Sequence, residues 1–276
     1  MTASRYGAEP SAPTRWSILL VVGVLFAIPV LGMLYFSLQT VSTHAITVQH
    51  YVDLFTPANE GTYDGLFQGI GNSLLICLIT VVMVLALLLP TMILVELKYP
   101  KYRRVLEFVC IIPITIPSVV LVVGFIPIYS VVAQIFGSSP WTLAFAIGII
   151  VLPYAYRPIA ANLAGLDVIT LSEAGRSLGA GWGSVLARVI VPNLRRGILS
   201  SVFITIAVVL GEYTIASFLS QNTFQTALLL LQQTDPYVAV IFAVFALLFA
   251  FVLLLIIGRL GTGRRPRSSP RKVRTS

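Results

Sequence analysis

One carboxylate in this sequence lies inside a long apolar run, where an ionisable group is costly. Glu212 stands in the segment LGEYTIASFL, beyond the middle of that run. Such a group needs a partner, a proton or a cationic ligand, and the adjacent Tyr213 could supply a hydroxyl. A hydrogen bond that packs helices, or a contact between subunits, explains the same carboxylate equally well. We therefore treat Glu212 and Tyr213 as candidate ligand-contacting residues.

The reacting groups of enzymes do not occur in a usable arrangement. Both histidines, His44 and His50, fall in one segment outside the apolar runs, and no HExxH or GxSxG motif occurs. The cysteines, Cys77 and Cys110, lie within apolar runs and are typical of small core residues. The sequence also lacks a P-loop motif for ATP. We predict no catalytic residue, no metal site and no cofactor.

A second polar feature is the segment LSEAGRSLGAGWGSVLARVIVP at residues 171–192. Thr170 and Glu173 have the spacing of a capping box, which predicts the start of a short helix. Gly179 is expected to end that helix in the left-handed conformation. Apolar and small side chains at spacing three and four predict one helix face, formed by Val168, Leu171, Ala174, Gly175 and Leu178.

The same segment predicts a second short helix after a glycine-rich turn. Ser184 is a suitable N-cap for a helix that runs to Ile190, and Pro192 is expected to end that helix. Trp182 fits an aromatic anchor at a membrane surface. Residues 171–192 therefore predict a helix, a turn and a helix.

Six apolar runs surround these polar features. The chain is 57% hydrophobic and 10% charged, whereas a soluble domain carries about 25% charged residues. Each run approaches or exceeds the roughly 20 residues that a helix needs to cross a bilayer, and barrel strands are shorter and alternate in polarity. The sequence thus predicts an all-α membrane protein with six transmembrane helices at residues 16–38, 70–95, 108–133, 141–160, 197–219 and 237–258. Prolines are expected to kink these helices without ending them: Pro29, Pro90, Pro113, Pro117 and Pro153.

The basic residues predict the orientation of the six helices. With the N-terminus in the cytoplasm, all 18 Lys and Arg residues fall on the cytoplasmic side. The outer segments carry only acidic charges: Asp53, Glu60, Asp64 and Asp235. This distribution follows the positive-inside rule, so both termini and residues 171–192 are expected to face the cytoplasm. The basic C-terminal tail is expected to contact anionic lipids rather than nucleic acid.

At residues 173–192 the sequence resembles the EAA loop of the membrane subunits of binding-protein-dependent ABC importers. That pattern is Glu-Ala-Ala, three residues, Gly, nine residues and Ile-x-Leu-Pro. Glu173, Ala174, Gly179 and Pro192 match it at the same spacing. The departures are small apolar replacements, at Gly175, Val189 and Val191. The resemblance extends more loosely from Asn72 through the sixth run.

The resemblance implies a type I importer permease, whose loop carries a coupling helix. Glu173, Ala174, Gly175, Leu178, Gly179 and Pro192 would then form the coupling site. The implied partners are two copies of a cytoplasmic ABC ATPase, a second permease subunit, which we expect to be a different chain, and an extracytoplasmic solute-binding protein. Glu212 and Tyr213 would lie in the substrate pathway. Glu173 alternatively serves only as a helix cap.

These inferences divide the chain into five segments. Residues 1–15 are expected to be a disordered cytoplasmic tail, and residues 16–38 the first transmembrane helix. Residues 39–69 form an extracytoplasmic segment with a short helix near 47–55. Residues 70–260 form the permease core, with the coupling loop at 161–196. Residues 261–276 form a basic cytoplasmic tail.

The resemblance also limits the substrate and the location. It places the chain near permeases for polyamines, aminoalkylphosphonates, sulfate, thiamine and ferric iron, and Glu212 favours a polyamine-like cation. The expected location is a bacterial or archaeal plasma membrane. A secondary carrier or channel without an ATPase is the alternative, although no internal repeat and only one intramembrane carboxylate occur.

Overall fold

The computed structural model describes residues 11–40, 45–54, 56, 61 and 63–261, which are almost entirely helical. Gln39 and Ile46 form an isolated antiparallel bridge, and the described residues contain no longer strand. The helices are α1 (Ala12–Ser37), α2 (Gln49–Asp53), α3 (Asp64–Lys98), α4 (Arg103–Thr115), α5 (Ser118–Phe136), α6 (Leu143–Ala164), α7 (Val168–Ser177), α8 (Trp182–Val185), α9 (Val191–Asn193), α10 (Arg195–Leu210), α11 (Thr214–Phe218), α12 (Phe224–Thr234) and α13 (Pro236–Gly261).

Five helices within the described ranges are long and apolar enough to cross a membrane. They are Ala12–Ser37, Asp64–Lys98, Ser118–Phe136, Pro140–Leu163 and Pro236–Arg259. A sixth candidate is the pair Trp182–Asn193 and Arg195–Leu210, which meet at an angle of 74°. The predicted all-α, multi-pass membrane architecture is thereby confirmed, while two of the six spans differ in detail.

The third predicted span, residues 108–133, is broken rather than kinked. Helix α4 ends at Thr115 and α5 begins at Ser118. Between them Ile116 is extended, with φ −102° and ψ 127°. The ring of Pro117 disfavours helical backbone at the residue before it, so the helix ends there. The expectation that Pro117 only kinks the helix was wrong, whereas Pro29, Pro90, Pro113 and Pro153 lie inside helices.

The fifth predicted span, residues 197–219, is also interrupted. Helix α10 ends at Leu210, and α11 begins at Thr214 after a break that contains Glu212. Glu212 therefore lies outside a continuous helix, contrary to the prediction. The second half of the predicted span is the short α11 and the turn that follows it.

One compact unit comprises the described residues up to Gly61 and Leu228–Leu248. The ring of Tyr237 stacks on Phe36 and on His50, with centroid distances of 4.8 and 4.7 Å. The Nε2 atom of His50 lies 3.0 Å from the carbonyl oxygen of Gln39. His50 thus has a packing role, and the short helix predicted near residues 47–55 is present as α2.

Two of the predicted segment boundaries differ in the structure. Helix α1 begins at Ala12, so residues 12–15 belong to the first helix and not to a tail. Helix α3 begins at Asp64, which shortens the segment predicted at 39–69. Residues 1–10, His44, Glu60 and most of the predicted basic tail, 262–276, lie outside the described residues.

The second unit spans Tyr63–Ala227 and continues at Phe249. Helix α6 lies at its centre and packs against α3, α4 and α10. Its fully buried side chains include Leu143, Val151 and Ile159. Cys77 and Cys110 are buried free cysteines, as expected of small core residues.

Gly197 allows α10 to approach α6 closely. A Cβ atom at this position would lie 2.8 Å from the carbonyl oxygen of Pro158 and 2.8 Å from Cβ of Asn162. Both distances are below van der Waals contact, and the first atom belongs to the backbone, which cannot rotate away. The contact between α6 and α10 therefore requires glycine at residue 197.

We expect Gly197→Ala to destabilise the second unit, because α10 must move away from α6 to admit the methyl group. Overpacking of this kind costs about 1–3 kcal/mol. Thermal unfolding of the purified chain in detergent, followed by tryptophan fluorescence, measures the effect. Gly124→Ala is the matched control, since no atom lies within 4 Å of a Cβ there. Equal midpoints for the two variants would contradict the close contact.

Candidate functional site

The segment between α6 and α10 begins with a helix that Asp167 caps. Asp167 Oδ1 accepts a hydrogen bond from the backbone N–H of Thr170 at 3.1 Å, and Oδ2 accepts one from the Thr170 hydroxyl at 2.6 Å. These bonds lower the pKa of the Asp167 carboxyl group. The predicted capping box was wrong: α7 begins at Val168, so Thr170 lies within the first turn and Glu173 does not reach back.

The C-terminal end of α7 is closed by backbone hydrogen bonds, as Gly179 predicts. Gly179 has φ +84°, the left-handed conformation that favours glycine. Its N–H donates to the carbonyl of Arg176 at 2.9 Å, and the N–H of Ala180 donates to the carbonyl of Gly175 at 3.1 Å. This pair of bonds is a Schellman motif, which satisfies carbonyls that a helix end leaves free.

One face of α7 packs against the rest of the loop. Val168 and Ser172 are buried, and Gly175 on the same face contacts the second helix. A Cβ atom at Gly175 would lie 3.1 Å from Cγ2 of Val185, which is itself fully buried. The predicted helix face is therefore rotated: Gly175 is an internal packing position, whereas Ala174 and Leu178 point outward.

The opposite face of α7 is exposed and partly apolar. Glu173, Ala174 and Gly179 are exposed, and the side chain of Leu178 is 89% accessible. Ile169 adds a second apolar side chain that is 53% accessible. Four of the six predicted coupling residues thus share one end of a short, closed helix, and nothing in the described chain covers their side chains.

The second helix of the loop continues through its proline. Helix α8 begins at Trp182, with Gly181 as N-cap, so Ser184 is not the cap. A π-helical turn, Leu186–Ile190, joins α8 to α9, and Pro192 lies inside α9. This π-helical turn lies just before Pro192, which has no backbone N–H to donate to a helical hydrogen bond. The prediction that Pro192 ends the helix was wrong, because helical structure continues to Asn193.

Trp182 makes contacts that the sequence did not indicate. The guanidinium carbon of Arg176 lies 4.7 Å from the indole ring centroid, and Nζ of Lys98 lies 5.4 Å from it. Both distances are within the roughly 6 Å range of cation–π attraction. Trp182 thereby connects α7, α8 and the end of α3. Its predicted role as a membrane anchor stays a prediction.

Glu212 has a partner in the chain itself. Its Oε1 atom accepts a hydrogen bond from the backbone N–H of Ile215 at 2.7 Å, so the side chain caps α11. The hydroxyl of Tyr213 accepts a hydrogen bond from Ser217 Oγ at 3.2 Å. Both candidate pathway residues lie at the break between α10 and α11, where Tyr213 is 40% exposed.

Polar side chains from the beginning of α3 hold the segment that follows this break. Asn72 Nδ2 donates to the carbonyl of Asn222 at 2.8 Å, and Ser73 Oγ accepts from the N–H of Phe224 at 2.9 Å. Gly69 permits the approach, because a Cβ there would lie 2.7 Å from the carbonyl oxygen of Thr223. Asn72 and Ser73 lie inside α3, and their side chains bond the later segment rather than the end of their own helix.

Metal chemistry has no visible donor set in this part of the chain. The described residues contain no group of three or more His, Cys, Asp or Glu side chains that could hold a metal ion. The loop and the break are instead built from helix ends, apolar contacts and hydrogen bonds.

Comparison with known proteins relates most of the second unit to one family. Residues 93–263 match the family model described as "Binding-protein-dependent transport system inner membrane component". The match covers α7 to α10 completely and most of the membrane helices.

Individual relatives are more distant. The chain is 29% identical over 193 residues to the phosphate transport system permease protein PstA of Pasteurella multocida, covering 69% of this chain and 67% of the relative. It is 26% identical over 263 residues to the probable ABC transporter permease protein y4fN of Sinorhizobium fredii, covering 90% and 46%. It is 26% identical over 192 residues to the spermidine/putrescine transport system permease protein PotB of Haemophilus influenzae, covering 63% of each. The chain thus spans about half to two thirds of the length of these relatives.

We expect Asp167→Ala to loosen α7, because the variant loses both hydrogen bonds to Thr170. An N-cap of this type stabilises the first turn of a helix, so α7 amides should exchange with deuterium about twofold to thirtyfold faster. Hydrogen–deuterium exchange of the α7 peptide measures this change. Glu173→Ala is the control and should leave exchange near the wild-type rate. Faster exchange in Glu173→Ala than in Asp167→Ala would instead indicate a capping box formed by Thr170 and Glu173.

Proposed function

The chain belongs to the family of inner membrane components of binding-protein-dependent transport systems, and from this premise we propose that α7 couples it to a separate ATPase. In this proposal two copies of a cytoplasmic ABC ATPase bind this chain and a second, different permease chain. A solute-binding protein delivers the substrate from the other side of the membrane. ATP-driven closure moves α7 and switches the pathway by alternating access.

The exposed end of α7 is the observation that carries this proposal. Leu178 is 89% accessible although it is a large apolar side chain, and Glu173 and Ala174 on the same helix are also exposed. Apolar side chains on a loop that faces water are stabilised when a partner protein buries them. The fixed ends of α7, at Asp167 and Gly179, keep this surface in one conformation.

The proposed orientation places this surface in the cytoplasm. The basic residues of the α3–α4 connection, of α7 and of the start of α10 lie on the same side of the predicted spans. The positive-inside rule assigns that side to the cytoplasm, where an ATPase has access to ATP. We therefore propose cytoplasmic termini in a bacterial or archaeal plasma membrane. The basic tail would contact anionic lipids.

The proposed substrate is a small solute, with a polyamine-like cation preferred. The relatives divide on this point, since PotB is named for spermidine and putrescine and PstA for phosphate. These ligands have opposite charge, so a carboxylate in the pathway would attract the first and repel the second. Glu212 uses Oε1 to cap α11, and the negative charge of the carboxylate would attract a cation.

We expect Leu178→Ser to weaken binding of the ATPase subunit. Burial of a leucine side chain contributes about 1.5–3 kcal/mol, so the affinity should fall about tenfold to a hundredfold. Co-purification and titration of the ATPase against the chain in nanodiscs measure this affinity. Ser177→Ala is the matched control on the same helix, since its hydroxyl only bonds the Glu173 carbonyl. Unchanged affinity in Leu178→Ser would remove α7 from the interface.

We expect Glu212→Gln to raise the KM for spermidine uptake by roughly tenfold, because the amide oxygen still caps α11 but the charge is lost. Uptake into proteoliposomes that contain the complete importer measures this effect, with phosphate as the second solute. Glu212→Ala, which also removes the cap, separates the charge from the structural bond. A Glu212→Gln variant with the wild-type KM for spermidine would contradict the cation preference.

A further inference from the structure

The turn between α7 and α8 is the place where the backbone of the loop can change conformation most easily. Gly181 alone joins the Schellman motif at the end of α7 to the first residue of α8, and glycine permits more backbone conformations than other residues. A displacement of the C-terminal end of α7 would be absorbed there if only the backbone transmitted it. Side-chain contacts across the turn must therefore carry the movement.

Trp182 supplies such a contact at the first position after the turn. Its ring lies under Arg176 of α7 at 4.7 Å and under Lys98 of α3 at 5.4 Å, measured to the ring centroid. The three side chains come from three helices, α7, α8 and α3. Two like charges would repel each other at such a site, but the electron-rich ring attracts both.

Helix α3 leads from this contact to the break beside Glu212. It contains 35 residues, a length of about 50 Å at 1.5 Å per residue. Lys98 is its last residue, while Asn72 and Ser73 near its beginning hold Asn222 and Phe224. One helix thus contacts the loop at one end and the segment after Glu212 at the other.

We propose that Trp182 is a positioning residue that joins α7 to α3 through Arg176 and Lys98, so that movement of α7 reaches the segment around Glu212. This inference rests on the proposed function of α7. It adds a side-chain connection to the covalent one through α8 and α10. Because α3 is a continuous helix, a shift at Lys98 is carried along its axis to Asn72 and Ser73.

The test measures solute transported per ATP hydrolysed by the complete importer in proteoliposomes. Trp182→Leu keeps an apolar side chain but removes the ring, and it should lower this ratio about threefold to tenfold while ATPase binding is retained. Trp182→Phe keeps an aromatic face and should retain most of the ratio. Lys98→Gln, an exposed substitution that does not endanger folding, should lower the ratio, and Lys98→Arg should restore it.

The double variant distinguishes a joint role from two separate ones. If Trp182 and Lys98 act through one contact, Trp182→Leu with Lys98→Gln should be no worse than Trp182→Leu alone. Additive losses, or a wild-type ratio in Trp182→Leu and Lys98→Gln, would overturn the inference. Loss of ATPase binding in Trp182→Leu would also overturn it, because Trp182 would then belong to the docking surface. Failure of Leu178→Ser to weaken ATPase binding would instead refute the proposed function.

Discussion

Backbone polar groups within an apolar bundle must find partners inside the protein, and this requirement governs the second unit. Helices satisfy it internally, but the chain leaves the helical path between α10 and α11 and again between α11 and α12. Four polar side chains near this break bond to backbone groups: Glu212 to Ile215, Gln225 to Leu210, Asn72 to Asn222 and Ser73 to Phe224. These backbone groups at the break are thus hydrogen-bonded although they lie outside a helix. The same bonds hold the break beside the candidate pathway residues.

Local hydrogen bonds and close contacts also determine the structure of the loop at the other end of α3. Asp167 closes the beginning of α7, Gly179 closes its end, and Gly175 lets Val185 approach its inner face. The outer face of α7 stays exposed, with Leu178 at its C-terminal end. The proposed function assigns that surface to an ATPase subunit, and the contacts of Trp182 connect α7 to the end of α3. Stability and proposed coupling thus depend on the two opposite faces of one short helix.

Sequence patterns predicted features that depend on near neighbours. The apolar runs and the left-handed Gly179 follow from local composition and backbone preference, and both are present. The sequence pattern placed the N-cap at Thr170, but in the structure the cap is Asp167, whose carboxylate binds both the N–H and the hydroxyl of Thr170. The prediction that Pro192 ends the second helix was wrong because a π-helical turn precedes the proline and helical structure continues past it. The bond of Asn72 to Asn222 joins residues 150 positions apart, which no local pattern reveals.

The closed ends of α7 have a consequence for how a complex would assemble. A segment that folds only on binding spends part of its interaction energy on becoming ordered. Helix α7 is already ordered by Asp167 and by its Schellman motif, so an incoming subunit meets a rigid shape and not a fluctuating chain. Association then becomes a search for orientation, with little backbone rearrangement, and the encounter rate is set by diffusion and alignment.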